Sequence, residues 1–309
     1  MEPLLLQGVA QTRVWGGAAL ARYFPWVDLR EPVGEVWVLS TREEASTPIR
    51  FGQWAGYTLA EVYQRFPHWF GRREQEPFPW LVKWIAAQDV LSVQLHPDDE
   101  FAQQVEGVPF GKTECWYVVD AEPGAHIYLG KDVTVDDWEQ ALQNGTVESL
   151  LEKVPVQKGD FIYLPAGTVH ALGPGVTVVE VQQNSDITYR LYDWNRVGLD
   201  GKPRELHWDK AKSILAKKNE DRPKILRASK ADLNFSTSYF CISKLHVESS
   251  VEIKIISQVQ TLIILHGEGY LQWDGETVCI KTGDSILLPH LIQNIKLEGG
   301  LDLLVVKNN

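Results

Sequence analysis

A seven-residue pattern occurs twice in the chain, and it constrains the fold more than any other feature. Residues 159–165 read Gly-Asp-Phe-Ile-Tyr-Leu-Pro, and residues 283–289 read Gly-Asp-Ser-Ile-Leu-Leu-Pro. In each copy the Gly-Asp pair is typical of a tight turn, and the apolar run after it is typical of a buried strand. A further strand-like run follows both copies, at 175–181 and 300–306. The chain is therefore predicted to contain two copies of one all-β unit.

The two copies differ at one position that matters for chemistry. Ten residues after the shared aspartate, the first copy has His170 and the second has Asn294. We therefore expect the second copy to bind no metal and to have a structural role. The predicted domains are a catalytic unit over residues 1–233, with short helical segments, and a metal-free unit over residues 234–309.

Three segments have the apolar spacing expected of helices. The first covers residues 57–70, with Thr58 as its N-cap and Gly71 as its stop signal. The second opens at Thr134 and runs to about residue 151, with a break at an Asn-Gly pair. The third covers residues 206–217. These are short elements in a chain that otherwise reads as strands and turns.

Composition excludes several classes of protein. A net charge of −11 over 309 residues argues against a general surface for nucleic acid or anionic membranes. The three cysteines are widely spaced and odd in number, so we expect reduced thiols. The first ten residues lack the features of a signal peptide, and no apolar run is long enough to span a bilayer. We expect a cytoplasmic protein, either a monomer or a small homo-oligomer.

Residues 91–96 alternate with the period of a strand. The polar face of this strand carries Ser92, Gln94 and His96. Gln and His two residues apart can direct an oxygen and an imidazole nitrogen at one point, as in half of a metal site. The alternative is an ordinary edge strand with an exposed polar face.

Two further residues fit the same centre. Glu114 lies on the apolar face of the strand-like run 114–119, where a carboxylate is costly unless it is paired or binds a metal. Pairing with Lys112, which lies on the same face, is the structural alternative. His170 is presented by a Pro-Ala-Gly turn, and alone it would read as a histidine bonded to backbone. A mixed nitrogen and oxygen set of this kind suits a catalytic Zn²⁺, Mn²⁺ or Fe²⁺.

Two adjacent carboxylates beside the histidine have a simpler interpretation. Asp98 and Asp99 follow Pro97, and together these residues read as the start of a helix, where acidic side chains are favoured. We expect them to cap that helix and to take no part in the chemistry.

Four segments in a fixed order carry a resemblance to a known family. Residues 94–99, 111–117, 165–172 and 180–194 resemble the corresponding motifs of type I mannose-6-phosphate isomerases of the cupin superfamily, in their compact bacterial form. The resemblance covers essentially the whole chain. It implies a mainly β fold of two cupin, jelly-roll-like β-barrels, with a few short helices inserted in and after the first.

The resemblance also implies roles for residues. It maps the ligands of one divalent metal, with Zn first and Mn or Fe as alternatives, onto the set Gln94, His96, Glu114 and His170. It places Arg190, Lys112 and Asp186 in catalysis, and Ser92, Lys112 and Arg190 in contact with a sugar phosphate. The implied reaction interconverts mannose 6-phosphate and fructose 6-phosphate through a cis-enediolate, and the substrate is the only partner expected.

Some roles stay open at this point. Lys112 could be a general base with a lowered pKa, a partner of Glu114 or a contact to a substrate oxygen. Asp186 and Arg190 could be catalytic or could form a supporting ion pair. Two other functions also stay open, an Fe²⁺-dependent cupin oxygenase and a non-catalytic cupin that binds sugar phosphates.

Overall fold

The computed structural model describes residues 1–217, 220–228, 233–255 and 258–309. Within these residues the chain forms twenty strands in three antiparallel sheets. The strands in chain order are β1 (Leu4–Leu6), β2 (Val9–Gly17), β3 (Val33–Leu39), β4 (Trp80–Ala86), β5 (Val93–Leu95), β6 (Glu114–Ala121), β7 (His126–Gly130), β8 (Leu151–Pro155), β9 (Phe161–Leu164), β10 (His170–Leu172), β11 (Val176–Gln183), β12 (Tyr189–Tyr192), β13 (Lys224–Leu226), β14 (Asn234–Ser236), β15 (Phe240–Val247), β16 (Ser250–Lys254), β17 (Gln260–Trp273), β18 (Glu276–Lys281), β19 (Ser285–Leu288) and β20 (Asn294–Asn308).

Two of the sheets share one interior. The seven-stranded sheet has the order β13-β9-β6-β11-β4-β3-β2, and the five-stranded sheet has the order β12-β5-β10-β7-β8. Their inward apolar side chains form a common cluster that includes Trp116 and Ile162 from the first sheet and Ile127 and Leu172 from the second. The mainly β prediction is confirmed, and the Gly-Asp turn before β9 leads into this shared interior.

The outer face of the five-stranded sheet is covered by helices. Val93 and Leu95 of β5 are fully buried there against Trp138 and Ile214. Trp138 belongs to α3 (Val135–Asn144), and Ile214 belongs to α4 (Trp208–Leu215). Because Val93 and Leu95 point outward to the helices, the alternate side chains of the strand point into the shared interior.

The helices agree with the sequence in place and type. A capping box at Thr58 starts α1 (Leu59–Arg65), and a 3-10 turn extends it to Gly71, whose φ is 65°. A second capping box at Thr134 starts α3, which ends at Gly145 in the left-handed conformation. A three-residue helix, α2 (Asp99–Phe101), continues into a π-helical turn. None of the helices in the described ranges is long and apolar enough to cross a membrane.

The third sheet contains the second copy of the repeat. Its path is β1-β19-β17-β20-β15-β14, with β16 on β20 and β18 on β17. The first strand of the chain thus pairs with β19, with Leu4 opposite Leu287 and Leu6 opposite Ser285. The predicted domain limit at 233/234 stays a prediction, and residues 229–232 beside it lie outside the described part of the chain.

Cys115, Cys241 and Cys279 are all free thiols, as the sequence predicts. Cys115 is buried in β6, whereas Cys279 is exposed on β18. Burial raises the pKa of the Cys115 thiol well above its usual range, so this side chain is an unreactive core residue.

Candidate metal centre and substrate cavity

Three potential ligands converge in the interior shared by the five-stranded and seven-stranded sheets. His96 directly follows β5, His170 begins β10, and Glu114 begins β6 on the opposite sheet. The nearest nitrogen or oxygen atoms of the three side chains all lie within 4.8 Å of one another. Each of the three side chains is at least 98% buried.

The donor atoms suit a cation. His170 Nε2 lies 3.2 Å from Glu114 Oε1, and His96 Nε2 lies 3.5 Å from Glu114 Oε2. In the described part of the chain, His170 Nε2 and Glu114 Oε1 have no hydrogen-bond partner, whereas Glu114 Oε2 has Lys112 Nζ at 2.8 Å. Buried polar atoms in this state are costly unless an ion or water satisfies them. The residues present therefore fit a divalent metal ion.

Both imidazoles are held in the tautomer that a metal requires. His96 Nδ1 lies 2.8 Å from the carbonyl oxygen of Ile187, and His170 Nδ1 lies 3.0 Å from that of Thr168. A hydrogen on Nδ1 that is donated to a carbonyl leaves Nε2 with a free lone pair. Burial, followed by the charge of Lys112, lowers the pKa of His96 well below its usual range. The neutral form that binds metals is therefore favoured.

Gln94 lies beside this group. It pairs with His170 across β5 and β10 and with Arg190 across β5 and β12. Its side-chain oxygen accepts a hydrogen bond of 3.2 Å from the Ser92 hydroxyl. The register thus places Gln94 next to His170, and its role as a ligand stays a prediction.

A cavity of about 410 Å³ opens beside the candidate metal centre. The cavity is lined by all the predicted catalytic and substrate-binding residues, which are Ser92, Lys112, Asp186 and Arg190, and also by Gln94. It also contains charged residues to which the sequence analysis gave no role: Arg13, Glu35, Lys83, Glu180 and Arg204. Two of these residues, Lys83 and Glu180, could have been identified from the sequence, because each is a charged residue within an apolar strand-like run.

Four buried charged side chains and the exposed Asp186 form one network. Lys112 Nζ lies 2.8 Å from Glu114 Oε2 and 3.9 Å from Glu180 Oε1. Lys83 Nζ lies 3.8 Å from Glu180 Oε2 and 2.7 Å from Asp186 Oδ1. Glu180 therefore lies between two ammonium groups, and it also accepts a hydrogen bond of 3.0 Å from the indole of Trp116.

The network shifts two pKa values in ways that bear on proton transfer. Burial raises the pKa of Glu180 to about 7, although Lys112 and Lys83 oppose this shift. Burial disfavours the charged form of Lys112, but Glu114, Glu180 and Asp186 outweigh it and raise the pKa of this lysine. This direction is the opposite of the lowered pKa considered from the sequence, because three carboxylates face the ammonium group. The predicted alternative of a Lys112–Glu114 ion pair is present.

The supporting ion pair considered between Asp186 and Arg190 is not formed. Asp186 binds Lys83 instead, and Arg190 Nη1 donates to the carbonyl oxygen of Glu205 over 2.8 Å. Arg190 Nε is buried and without a hydrogen-bond partner among the described residues. The charge of this guanidinium is therefore available to an anion in the cavity.

Asp98 and Asp99 do not share one role. Asp98 Oδ1 accepts a hydrogen bond of 2.7 Å from the backbone N–H of Phe101, so Asp98 is the expected cap. The side chain of Asp99 points elsewhere, and its Oδ1 accepts hydrogen bonds from Gly111 and Gln183. Asp99 is in the first turn of the helix, as expected, but the capping hydrogen bond expected for it is not formed.

These features define a mainly β protein with a candidate metal centre of two histidines and one glutamate, buried between two sheets beside a cavity rich in charged groups. Two family models match the chain. Residues 4–139 match the catalytic domain of type I phosphomannose isomerase, and residues 231–308 match the cupin domain of mannose-6-phosphate isomerase. The chain belongs to the type I mannose-6-phosphate isomerase family.

Individual relatives agree over the full length. The chain is 36% identical to the mannose-6-phosphate isomerase ManA of Bacillus subtilis, with 98% of each chain covered. It is 34% identical to the mannose-6-phosphate isomerase of Streptococcus mutans, covering 100% of this chain and 99% of that one. The crystal structure of the mannose 6-phosphate isomerase from Bacillus subtilis superposes with a TM-score of 0.89 at 30% identity, with 99% of each chain covered.

Proposed function

We propose that this protein is a metal-dependent aldose–ketose isomerase that interconverts mannose 6-phosphate and fructose 6-phosphate. One observation carries the proposal. In the buried His96–Glu114–His170 group, His170 Nε2 and Glu114 Oε1 have no hydrogen-bond partner among the described residues, and the group adjoins a cavity lined by Lys112 and Arg190. Full-length relatives that carry this enzyme name support the choice of substrate.

The cavity supplies groups suited to an anionic sugar. Arg190 is half-buried and has an Nε–H without a hydrogen-bond partner among the described residues, and Ser92 lines the same cavity with a hydroxyl group. Asp186 is neutralised by Lys83 and therefore repels a phosphate less than a free carboxylate would. We assign substrate binding to Ser92, Lys112 and Arg190.

The reaction moves a proton between C1 and C2 of the sugar, which requires a base near the carbon and positive charge near the developing oxyanion. A divalent cation held by Gln94, His96, Glu114 and His170 would supply Lewis-acid charge. The raised pKa of Lys112 supports a role as an ammonium donor to a substrate oxygen. Glu180 lines the cavity between the ammonium groups of Lys83 and Lys112, and together with its pKa of about 7 this position supports Glu180 as the group that accepts and returns the proton.

A coupled assay tests the function. Purified protein is given mannose 6-phosphate, and formation of fructose 6-phosphate is followed before chelation, after chelation and after return of Zn²⁺, Mn²⁺ or Fe²⁺. We expect turnover that chelation abolishes and metal restores. Oxygen consumption with Fe²⁺ would indicate the oxygenase, and substrate binding without exchange of the C2 proton would indicate the binding protein. Absence of turnover before chelation contradicts the proposal.

A pair of variants tests the assignment of roles. Lys112→Gln and Glu180→Gln are compared in exchange of the C2 proton of mannose 6-phosphate with deuterated solvent. We expect Glu180→Gln to lower exchange and turnover together, by about 10²- to 10⁴-fold as for loss of a general base. Lys112→Gln should lower turnover through loss of oxyanion stabilisation. Full turnover by Lys112→Gln removes this residue from the catalytic set.

We further propose zinc as the native metal, because two imidazoles and a carboxylate with room for a further ligand suit catalytic Zn²⁺. We propose a cytoplasmic location, with the sugar phosphate as the partner and a monomer or a small homo-oligomer as the working state. Metal analysis of protein purified without chelators tests the metal, sedimentation of the same sample tests the working state, and fractionation of cells that express the protein tests the location.

A further inference from the structure

Asp99 has hydrogen bonds that a helix cap does not explain. Its Oδ1 accepts from the backbone N–H of Gly111 over 2.8 Å and from Nε2 of Gln183 over 2.8 Å. Asp98, the neighbouring residue, makes the capping bond to Phe101. Asp99 therefore ties the loop after β5 to the loop before β6.

Gln183 continues this tie. The side-chain Oε1 of Gln183 accepts from the backbone N–H of Thr113 over 2.9 Å, and the backbone N–H of Gln183 donates to the carbonyl oxygen of Thr113 over 3.1 Å. Between these bonds, the N–H of Lys112 donates to the carbonyl oxygen of Pro97 over 2.9 Å. Three successive residues, 111 to 113, are thus fastened to the segments around Pro97 and Gln183.

These bonds lie between two of the predicted metal ligands. His96 precedes Pro97, and Glu114 follows Thr113. The two ligands come from different sheets, since His96 follows β5 of the five-stranded sheet and Glu114 begins β6 of the seven-stranded sheet. No strand ladder in the described residues joins β5 to β6, so their separation must be fixed by other contacts.

The turn before His170 joins the same arrangement. The N–H of Gly167 donates to the carbonyl oxygen of His96 over 2.8 Å, and the N–H of Ala166 donates to Thr113 Oγ1 over 3.2 Å. The segments that carry all three ligands are thereby connected. A side chain at Gly111 would place its Cβ 2.4 Å from the carbonyl oxygen of Pro97, so the loops also pack without spare space.

We propose that Asp99 and Gln183 are positioning residues, which hold His96 and Glu114 at the separation that a divalent cation requires and place Lys112 beside them. The catalytic part of this inference rests on the proposed isomerase function. The metal-binding part rests on the geometry alone, so the two can fail separately.

The test compares Asp99→Ala, Asp99→Asn and the matched control Asp98→Ala in the full-length protein. Asparagine keeps the Oδ1 acceptor, whereas alanine removes it. Asp98→Ala removes a helix cap at the adjacent position but leaves residues 111–113 tied. Co²⁺ affinity and the visible spectrum of the Co²⁺-loaded protein report on the ligands without any turnover.

We expect Asp99→Ala to weaken Co²⁺ binding by about 10- to 100-fold, as for loss of other groups that orient ligands, and to alter the spectrum. Asp99→Asn should restore affinity to within about threefold of the native value. Asp98→Ala should lower the melting temperature and leave Co²⁺ affinity unchanged. Gln183→Leu, which leaves the N–H of Thr113 without its acceptor, should resemble Asp99→Ala.

The isomerase assay gives a second measurement, the kcat and KM of the same variants. Asp99→Ala is expected to lower kcat more than it raises KM, because a displaced ligand set affects the transition state more than binding of the sugar phosphate. Native Co²⁺ affinity and spectrum in Asp99→Ala would overturn the proposal. Equal losses of affinity in Asp98→Ala and Asp99→Ala would also overturn it, because they would mark a general loss of structure.

Discussion

The molecule has two buried interiors, and in each of them a buried strand follows a Gly-Asp turn. The side chains that fill the two interiors differ in kind. The interior between the five-stranded and seven-stranded sheets contains a fully buried set of charged or ligating side chains, namely Lys83, His96, Lys112, Glu114, His170 and Glu180. The interior of the eight-stranded sheet is lined by aliphatic side chains and one tryptophan, and its fully buried members include Leu262, Ile264, Leu271, Ile280, Leu297 and Leu303. We call them the polar interior and the apolar interior.

The difference begins at one equivalent position. His170 is buried at the start of β10, whereas Asn294 is exposed at the start of β20. Burying charge is costly unless partners offset the lost hydration, whereas burying aliphatic groups stabilises the fold directly. The polar interior thus contains the proposed metal ligands and catalytic groups, whereas burial in the apolar interior stabilises the fold. This division can be tested by substitutions in each of the two interiors.

The largest effect is expected at the equivalent pair itself. His170→Ala should lower isomerase turnover by a factor on the order of 10³, because loss of a ligand removes several kcal/mol of charge stabilisation from the transition state. Asn294→Ala should leave turnover and stability unchanged. Steady-state kinetics and Co²⁺ binding measure both. A matching loss in Asn294→Ala would show that the second copy also takes part in the reaction.

The apolar interior should respond in stability instead. Leu297→Ala, at a fully buried position, is expected to lower the free energy of unfolding by about 2–5 kcal/mol. Activity per folded molecule should stay at the native level, because the side chain lies in the other interior. Denaturant titration and active-site counting provide the two measurements, and a fall in turnover at full folding would contradict the division.

The two Gly-Asp turns should differ as well. Asp160 is fully buried and accepts hydrogen bonds from Ala228 N–H over 2.7 Å and from Arg227 over 2.8 Å. Asp160→Ala should lower the free energy of unfolding by about 1–3 kcal/mol. Asp284 is less buried, and its bonds are to Arg50 and to Lys281 N–H. Asp284→Ala should have the smaller effect in the same titration, and the reverse order would refute this reasoning.

The smallest effect is a dependence of stability on pH in metal-stripped protein. Because the pKa of Glu180 is raised to about 7 from an ordinary value of 4.5, the folded state binds more protons than the unfolded state in this window. The stabilising contribution is full below about pH 4.5 and is lost as the pH rises through 7. Glu180→Gln lacks this loss, so its melting temperature relative to the native protein should increase by a few degrees between pH 5 and 8. A constant difference would contradict the assignment.

The sequence was sufficient for those parts of the molecule that local pattern determines. The Gly-Asp repeat predicted the mainly β class, and the capping residues Thr58 and Thr134 marked helix starts that the structure confirms. The polar residues His96, Glu114 and His170 stood out from their strands and do converge. Each of these features can be read within a few residues of chain.

Other features depend on sheet register, which the sequence does not state. Lys83 lies opposite Glu180 only because β4 pairs with β11 in that register. The same pairing brings Lys83 to Asp186, which is why the Asp186–Arg190 pair expected from a spacing of four residues does not form. Asp99 was read as a cap because its partners, Gly111 and Gln183, are brought to it by the fold.

The pairing of β1 with β19 has a consequence for how the chain is made. Residues 4–6 leave the ribosome long before their partners at 285–287. The eight-stranded sheet can therefore be completed only after β19 has been synthesised, and until then β1 lacks its partner strand in that sheet. A fragment that begins at residue 234 would lack β1, so one edge of β19 would be exposed as a site for pairing with other chains. The β1–β19 pairing thus makes completion of one sheet depend on strands that lie far apart in the chain.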